Sequence, residues 1–504
     1  MNRYFPILSV FALAIVLGCE PDTSSSPEPE DIFVKFYGSD AAEVAEDLIV
    51  NDLTGDGPTE DDGYVIYGTS NSSLIKTFVE DPNFVDEGIN QNVYYLIFTD
   101  NQGNEVDVKA YNIFSNRGTE GNVQDQVATD IIQTRDGGFL LAGYTTVKVA
   151  VPTQSGNEDR DVKRGVLIKL DENGDDEWGP VFTTSDDDTT AFITRILDTE
   201  TEENFNVPID ETIESVIETL DGNLLLIGTT NNVIPKPGFN RINDATDIWL
   251  VKFGPDGIDN EIFSKIDGFP SNDVGKAIFE RPDGSLALIA SGPGNEDENG
   301  SVDILFANSD SELFTNNFRE FSDLTGADIV INDAEIIPSI IPNGGSVLVT
   351  GSSGGETFVM SINSGGSEDF FKIIEFDALE NQNGVTLGSN SYTGHLGLGI
   401  TPMNNGSIAV IGTLQGFKPG SETVRGDRKD AQKQDDILFF TINAFGEFED
   451  NNFVRTFGGN DEDIGKELRQ LTDGRFVLLG TVGFEGGPKM ISLMKTSSRG
   501  TLIK

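Results

Sequence analysis

The side chains best suited to chemistry are either scarce in this sequence or too many to choose among. There is one cysteine, Cys19, and one histidine, His395, against 85 aspartates and glutamates. A lone cysteine excludes an intramolecular disulfide and any Cys-type zinc site. A lone histidine excludes multi-His metal centres and leaves little room for Ser-His or Cys-His catalysis. Paired carboxylates suit acid–base work on a glycosidic bond, but among 85 acids no one pair stands out.

One acidic run is more specific. From Asp52 to Asp62 the chain reads DLTGDGPTEDD, where Asp52, Thr54, Asp56 and Glu60 offer oxygen ligands and Gly57 permits a sharp turn. The run resembles the calcium loops of FG-GAP and EF-hand types, which implies a structural calcium ion held by oxygens on a flexible loop. The place of the closing EF-hand glutamate is taken by Gly63. A plain acidic hairpin turn is the other reading.

The basic residues cluster differently. Arg160, Lys163, Arg164, Lys236, Arg241, Arg425, Arg428 and Lys429 fall in three long polar segments, 146–164, 230–246 and 414–435. These segments are nearly neutral on a chain with a formal net charge of −52. A partner with negative or polar groups suits them; ion pairs within each loop are the competing reading. The overall charge repels nucleic acid, so no nucleic-acid partner is expected.

The elements that carry these residues repeat. An Asp- or Asn-Gly turn, a short apolar run, a small residue and a Thr or Ser recur as DGYVIYGT (62–69), DGGFLLAGYT (136–145), DGNLLLIGT (221–229) and DGSLALIAS (283–291). The series continues with NGGSVLVTGS (343–352), NGSIAVIGT (405–413) and DGRFVLLGT (473–481), about 60 to 85 residues apart. After each copy comes a second apolar run, such as GVLIKLD (165–171) or DIWLVKF (247–253). A third run and a more polar fourth then lead into the next turn. Runs of four to eight β-branched or aromatic residues bounded by Gly, Asp and Asn are strands, and none keeps a helical apolar face over helical length. Four strands in each of seven units predict an all-β, seven-bladed β-propeller of four-stranded antiparallel blades. The last unit ends soon after its third strand, while DIFVKFYG (31–38) lines up with FVRTFGG (453–459). The N-terminal strand is therefore expected to close the ring as the outermost strand of the last blade. The polar strand after it then becomes the innermost.

In that order the turn-bearing second strand and the third strand are joined on the same face as the blade-to-blade connections. The insertions at 70–92, 146–164, 183–210, 230–246 and 414–435 all fall there, where binding residues or neutral length drift are both expected. Trp249 belongs in the core between blades, and Trp178 opens an outer strand. His395 stands near the start of an inner strand, as a satisfied structural histidine or at the channel mouth.

The N-terminus adds an address. Arg3 and an apolar run, 7–17, end in Val16-Leu17-Gly18-Cys19, which resembles a bacterial lipobox with Cys19 as the lipidated residue. Residues 1–18 read as a lipoprotein signal peptide, 19–30 as an acidic Pro/Ser tether, and 31–504 as the propeller. Acidic residues just after the cysteine resemble a signal for display on the surface of a Gram-negative outer membrane. The whole mature chain resembles the blade repeats of secreted bacterial propeller lipoproteins, with Kelch and quinoprotein propellers as relatives in shape. That resemblance implies a membrane-anchored binding or scaffold module for an envelope protein complex or polysaccharide. The alternative is a propeller enzyme acting on polysaccharide at the axis of the inserted face. Neither fold nor resemblance implies a cofactor beyond the structural calcium.

Overall fold

The computed structural model describes residues 32–38, 43–51, 62–72, 92–111, 123–153, 156–175, 177, 210–231, 246–255, 257–268, 272–293, 302–310, 318–322, 327–338, 340, 344–375, 379, 391–417, 435–458, 461–484 and 487–502. They form seven antiparallel sheets arranged as the blades of a propeller. The innermost strands are Glu43–Asn51, Val123–Gln133, Glu211–Glu218, Val274–Glu280, Ile329–Ile336, Ser391–Pro402 and Ile464–Gln470, in blades 1 to 7. Six blades have four strands. In blade 2 three are described, and Glu177 N–H donates to the Lys169 carbonyl at 3.0 Å just before Trp178, which lies outside the described residues.

The ring closes as expected. The first strand, Phe33–Tyr37, pairs antiparallel with Met490–Thr496 as the outermost strand of blade 7, in the register Phe33↔Lys495 to Tyr37↔Ile491. Tyr37 and Leu48 of the N-terminal segment share one apolar cluster with Leu471, Val477 and Leu493 of blade 7. There are seven such clusters, one at each junction between neighbouring blades. Both faces of the second and third strands are therefore covered, which is why those strands run apolar without alternation. Val65 and Tyr67 of blade 1 face blade 2, while Tyr64 and Ile66 face blade 7. Trp249 is fully buried in the cluster between blades 2 and 3.

The repeated Asp-Gly is turn chemistry. Gly137, Gly222, Gly284, Gly345, Gly406 and Gly474 all sit at φ of 80 to 88°, the left-handed region that glycine enters without strain. The Asp136 carboxylate accepts from Gly138 N–H at 3.0 Å and pairs with Lys169 Nζ at 2.8 Å, so the lysine of the third strand serves the turn.

One expectation needs correction. Segment 146–164 is not an inserted loop. It extends the second and third strands of blade 2 into a hairpin, Phe139–Thr153 paired with Gly156–Leu170 out to Thr153↔Gly156. Val147, Val149 and Val151 alternate there at period 2, and that pattern is strand rather than loop. The other insertions spring from strand ends on the same face: Ser70↔Val93, Thr230↔Asp247 and Leu414↔Asp436 are the last pairs before them.

Candidate functional site

Every innermost strand carries one extra residue at the same level. The register slips at Glu46, Thr129, Glu214, Lys276, Asn332, Leu398 and Lys466, in blades 1 to 7 respectively. A bulge turns two consecutive side chains toward one side. Here that side is the propeller axis, and all seven bulge residues line a cavity of about 850 Å³.

The bulge explains the small residue that ends each repeat. The strand pairs directly before the slips are Ala45↔Gly68, Ala128↔Gly143, Ile213↔Gly228, Gly275↔Ala290, Ile331↔Gly351, Gly397↔Gly412 and Gly465↔Gly480. A Cβ on Gly68, Gly143, Gly228, Gly351, Gly412 or Gly480 would lie 1.8 to 2.6 Å from the carbonyl oxygen of Val44, Val127, Thr212, Val330, Leu396 or Ile464. Those carbonyls press inward because the bulge bends the strand. The six glycines are thus the second-strand imprint of a device on the first.

The axis is layered. Nearest the inserted face stands an apolar collar that includes Val44, Val127, Val274, Val330, Leu396 and Ile464, with Val44 and Val330 exposed. Below it lies the bulge level, mostly polar. Below that, blades 1 to 4 contribute Ile49, Ile132, Ile217 and Phe279, while blades 5 and 7 contribute Glu335 and Arg469.

Several carboxylates at the bulge level staple neighbouring blades. Asp47 accepts from its own Leu48 N–H at 2.6 Å and from Ile131 N–H of blade 2 at 3.1 Å. Asp130 accepts from Val216 N–H of blade 3 at 2.7 Å. Asp333 accepts from Ala334 N–H and from Ile400 N–H of blade 6, both at 2.7 Å. Thr129 Oγ1 and Asn332 Nδ2 donate to carbonyls of the next blade, Ile213 at 2.8 Å and Gly397 at 2.7 Å. Arg469 reaches Glu467 at 2.5 Å and Asp47 at 3.6 Å. Lys466 pairs closely with Glu46 across blades 7 and 1. Lys276 stands 3.9 Å from Glu214 across blades 4 and 3.

This crowding shifts the acids. Burial, reinforced by Glu335, raises Asp333 to about 7. Burial raises Glu335 too, against the pull of Arg469. Asp130 is pushed up by burial and by the Asp47 carboxylate beside it. Glu467 is pushed up by burial, with Arg469 opposing. Burial acts to lower Arg469, but Glu467, Glu335, Asp47 and Asp333 outweigh it and hold the guanidinium charged.

Of the eight basic residues singled out from sequence, Lys163 lines the cavity mouth and Arg164 lies beside it. Lys163 N–H donates to Asp210 at 2.7 Å, and its ammonium lies 4.7 Å from the centre of the Tyr144 ring. Arg164 is partly buried against Glu211, whose carboxyl is raised to about 7 by burial. Arg160 falls within the third strand of blade 2. Lys236, Arg241, Arg425, Arg428 and Lys429 lie outside the described residues, as do Cys19 and the whole set Asp52, Thr54, Asp56 and Glu60. Among the described residues no three acidic, His or Cys side chains converge on a metal position. His395 is fully buried; its Nδ1 accepts from Thr357 N–H at 3.0 Å, and burial lowers its pKa to about 4. It serves the sheet rather than the channel.

Sequence reasoning did not assign the axial side chains, although a signal was present. A bulge puts two polar residues in succession where a strand should alternate, as in Glu46-Asp47, Thr129-Asp130, Asn332-Asp333 and Lys466-Glu467. Each doublet begins at the residue where its strand's pairing slips.

No protein-family model and no curated protein matches the sequence. Solved structures do match in shape. A protein of unknown function from Dyadobacter fermentans is 11% identical, with 73% of this chain and 94% of that chain covered, at a TM-score of 0.36. The α-L-arabinanase of Penicillium chrysogenum, complexed with arabinobiose, is 12% identical, with 92% and 97% covered, at 0.37. The endo-arabinase of Bacteroides thetaiotaomicron is 12% identical, with 67% and 98% covered, at 0.28. At those scores the likenesses carry no argument about what this chain binds.

Proposed function

We propose that the chain is a cell-surface lipoprotein, anchored through Cys19 in the outer membrane of a Gram-negative bacterium. Its propeller binds a polar extracellular ligand, glycan being the class that suits it, in the axial cavity. The observation that carries this reading is the cavity itself. It is about 850 Å³, rimmed by apolar side chains and walled at mid-depth by hydroxyls, carboxyls and ammonium groups. Sites of this size with a few convergent polar groups are where ligands are held. A glycan offers many hydroxyls, each able to donate and accept, and little net charge to conflict with a mixed wall.

The test joins fractionation to a glycan-binding screen. The intact protein is expected in the membrane fraction and Cys19→Ser in the soluble one. Retention of the variant in membranes would remove the anchor. A screen in which no polysaccharide binds, while an envelope protein co-purifies stoichiometrically, would replace the glycan with a protein partner.

A second reading is favoured by one feature of the same cavity. Asp333 and Glu335 are neighbouring carboxyls whose proton affinity is raised, the condition under which one acid donates while another group accepts. On this reading the protein hydrolyses a glycosidic bond: one of these carboxyls protonates the leaving oxygen as the bond to the sugar breaks, and an ionised carboxylate of the same wall takes the proton of the water that adds to the sugar. Reducing-sugar release from a polysaccharide panel, abolished in Glu335→Gln, would establish it.

A further inference from the structure

Among the described residues the axial cavity holds four cation–carboxylate contacts, and one is the longest. Lys466 is closely paired with Glu46, and Arg469 lies 2.5 Å from Glu467 and 3.6 Å from Asp47. Lys276 and Glu214 stand 3.9 Å apart, the outer limit of an ion pair, with side chains 29% and 25% exposed. Both are bulge residues, on adjacent blades, so both are aimed at the axis. Thr212 Oγ1 donates to Glu214 Oε1 at 3.0 Å, which orients the carboxylate and leaves Oε2 toward the lysine. Tyr144 and Lys163 stand in the same wall toward the mouth. Across the axis Arg469 lies under the field of carboxylates from blades 1, 5 and 7.

A gap of this length between a donor and an acceptor fits one functional group well. Two hydroxyls on neighbouring carbons place their oxygens about 2.8 Å apart, so one can donate to a carboxylate while the other accepts from an ammonium. Charge-assisted bonds of that kind are about twice as strong as neutral ones. Seven blades enclose the cavity laterally, and entry past the collar suits the end of a chain.

We propose that Glu214 and Lys276 are the recognition pair of this cavity, holding a vicinal diol at the end of a glycan chain that enters from the inserted face. The assignment rests on the glycan reading above. The pair acts through two contacts: Glu214 Oε2 accepts from one hydroxyl, and Lys276 Nζ donates to the other.

The experiment measures binding of the full-length protein to hexasaccharides of arabinan, xylan, mannan, cellulose and β-1,3-glucan, each intact and after mild periodate oxidation, which cleaves vicinal diols. At least one intact hexasaccharide is expected to bind, with oxidation weakening it more than tenfold. Glu214→Gln and Lys276→Met are each expected to weaken it at least tenfold with an unchanged melting temperature, and Lys276→Arg to recover part of the loss. Lys372→Met, which removes a cation from the outermost strand of blade 5, away from the cavity, is expected to stay within about threefold of the parent. Binding that survives both substitutions, or that falls equally in Lys372→Met, overturns the pair while leaving the glycan reading in place. If no intact hexasaccharide binds, the glycan reading falls and the pair falls with it.

Discussion

Between blades 7 and 1 Lys466 is closely tied to Glu46, and Arg469, paired with Glu467 on its own strand, reaches Asp47 of blade 1 at 3.6 Å. Between blades 3 and 4 the matching pair, Lys276 and Glu214, stands apart. The chain crosses both junctions in the same way, from the outermost strand of one blade to the innermost strand of the next: Gly257–Asp267 leads to Val274–Glu280, and Phe33–Tyr37 leads to Glu43–Asn51. The difference lies in blade 7, whose sheet joins the two ends of the propeller through the pairing of Phe33–Tyr37 with Met490–Thr496. Its innermost strand comes from the C-terminal part of the chain and blade 1 from the N-terminal part, so the ties from Lys466 and Arg469 to blade 1 add to that closure. Blades 3 and 4, consecutive in sequence, carry no such closure. The difference teaches where to look in a ring of near-identical units: the loosest inner contact is the better candidate for a ligand.

The largest expected effect comes from cutting the seam. Deleting residues 32–38 removes Phe33 and Tyr37 from the cluster between blades 7 and 1. At about 25 cal/mol per Å² of apolar surface this costs about 5 kcal/mol, and the melting temperature should fall sharply. An unchanged melting curve would mean that the strand does not close the ring.

Gly228→Ala attacks the other junction through its bulge. The new methyl would meet the Thr212 carbonyl at 1.9 Å and displace Glu214. A loss of about 3 kcal/mol is expected, measured by denaturant unfolding. Ala290, which stands at the same place in blade 4, should tolerate glycine at a cost of about 1 kcal/mol or less. Equal costs at the two positions would argue against the steric account of the repeat.

Arg469→Met leaves Glu467 and Asp47 without their cation at the seam. About 3 kcal/mol should be lost near neutral pH, less under acid conditions where the carboxyls are protonated. Lys276→Met, in the loose junction, should change stability by about 0.5 kcal/mol at most. Reversal of that order would erase the distinction between the junctions.

The pH dependence sharpens the same contrast. Asp333 and Glu211 hold protons in the folded state up to about 7, whereas an unfolded carboxyl releases its proton near 4. Between those values the folded protein binds more protons, so unfolding free energy falls as pH rises. His395, lowered to about 4, acts in the opposite sense between about 4 and 6.5, one group against two. The melting temperature should therefore be higher at pH 5 than at pH 8, and Asp333→Asn should flatten the slope. A melting temperature that climbs from pH 5 to pH 8 would contradict the buried-acid account.

Most of the fold was legible because its physics is repetitive. Seven apolar junctions need unbroken apolar strands, and seven tight turns need Asp-Gly, so both leave periodic marks in the sequence. Closure was legible because DIFVKFYG matches the outermost strand of blade 6. The site was not legible for the opposite reason. The bulge positions read Glu, Thr, Glu, Lys, Asn, Leu and Lys, which share a location and no chemistry. Attention went instead to the long polar segments, where Lys163 lines the cavity and five of the eight basic residues lie outside the described residues. The extension of blade 2 was misread because an isolated hairpin looks like a polar insertion when its partner strand is not considered.

The register of the first strand has a mechanical consequence. Phe33 lies opposite Lys495 and Tyr37 opposite Ile491, so the chain enters the sheet on the face away from the cavity mouth. With the proposed lipid on Cys19, residues 20–31 span at most about 40 Å from the membrane to that underside. The mouth is then presented outward. A pull on the anchor runs along the strand and loads all five residue pairs together, in shear, instead of peeling them one at a time. With that anchor, the closure that completes the ring also lies along the line of any pull on the tether.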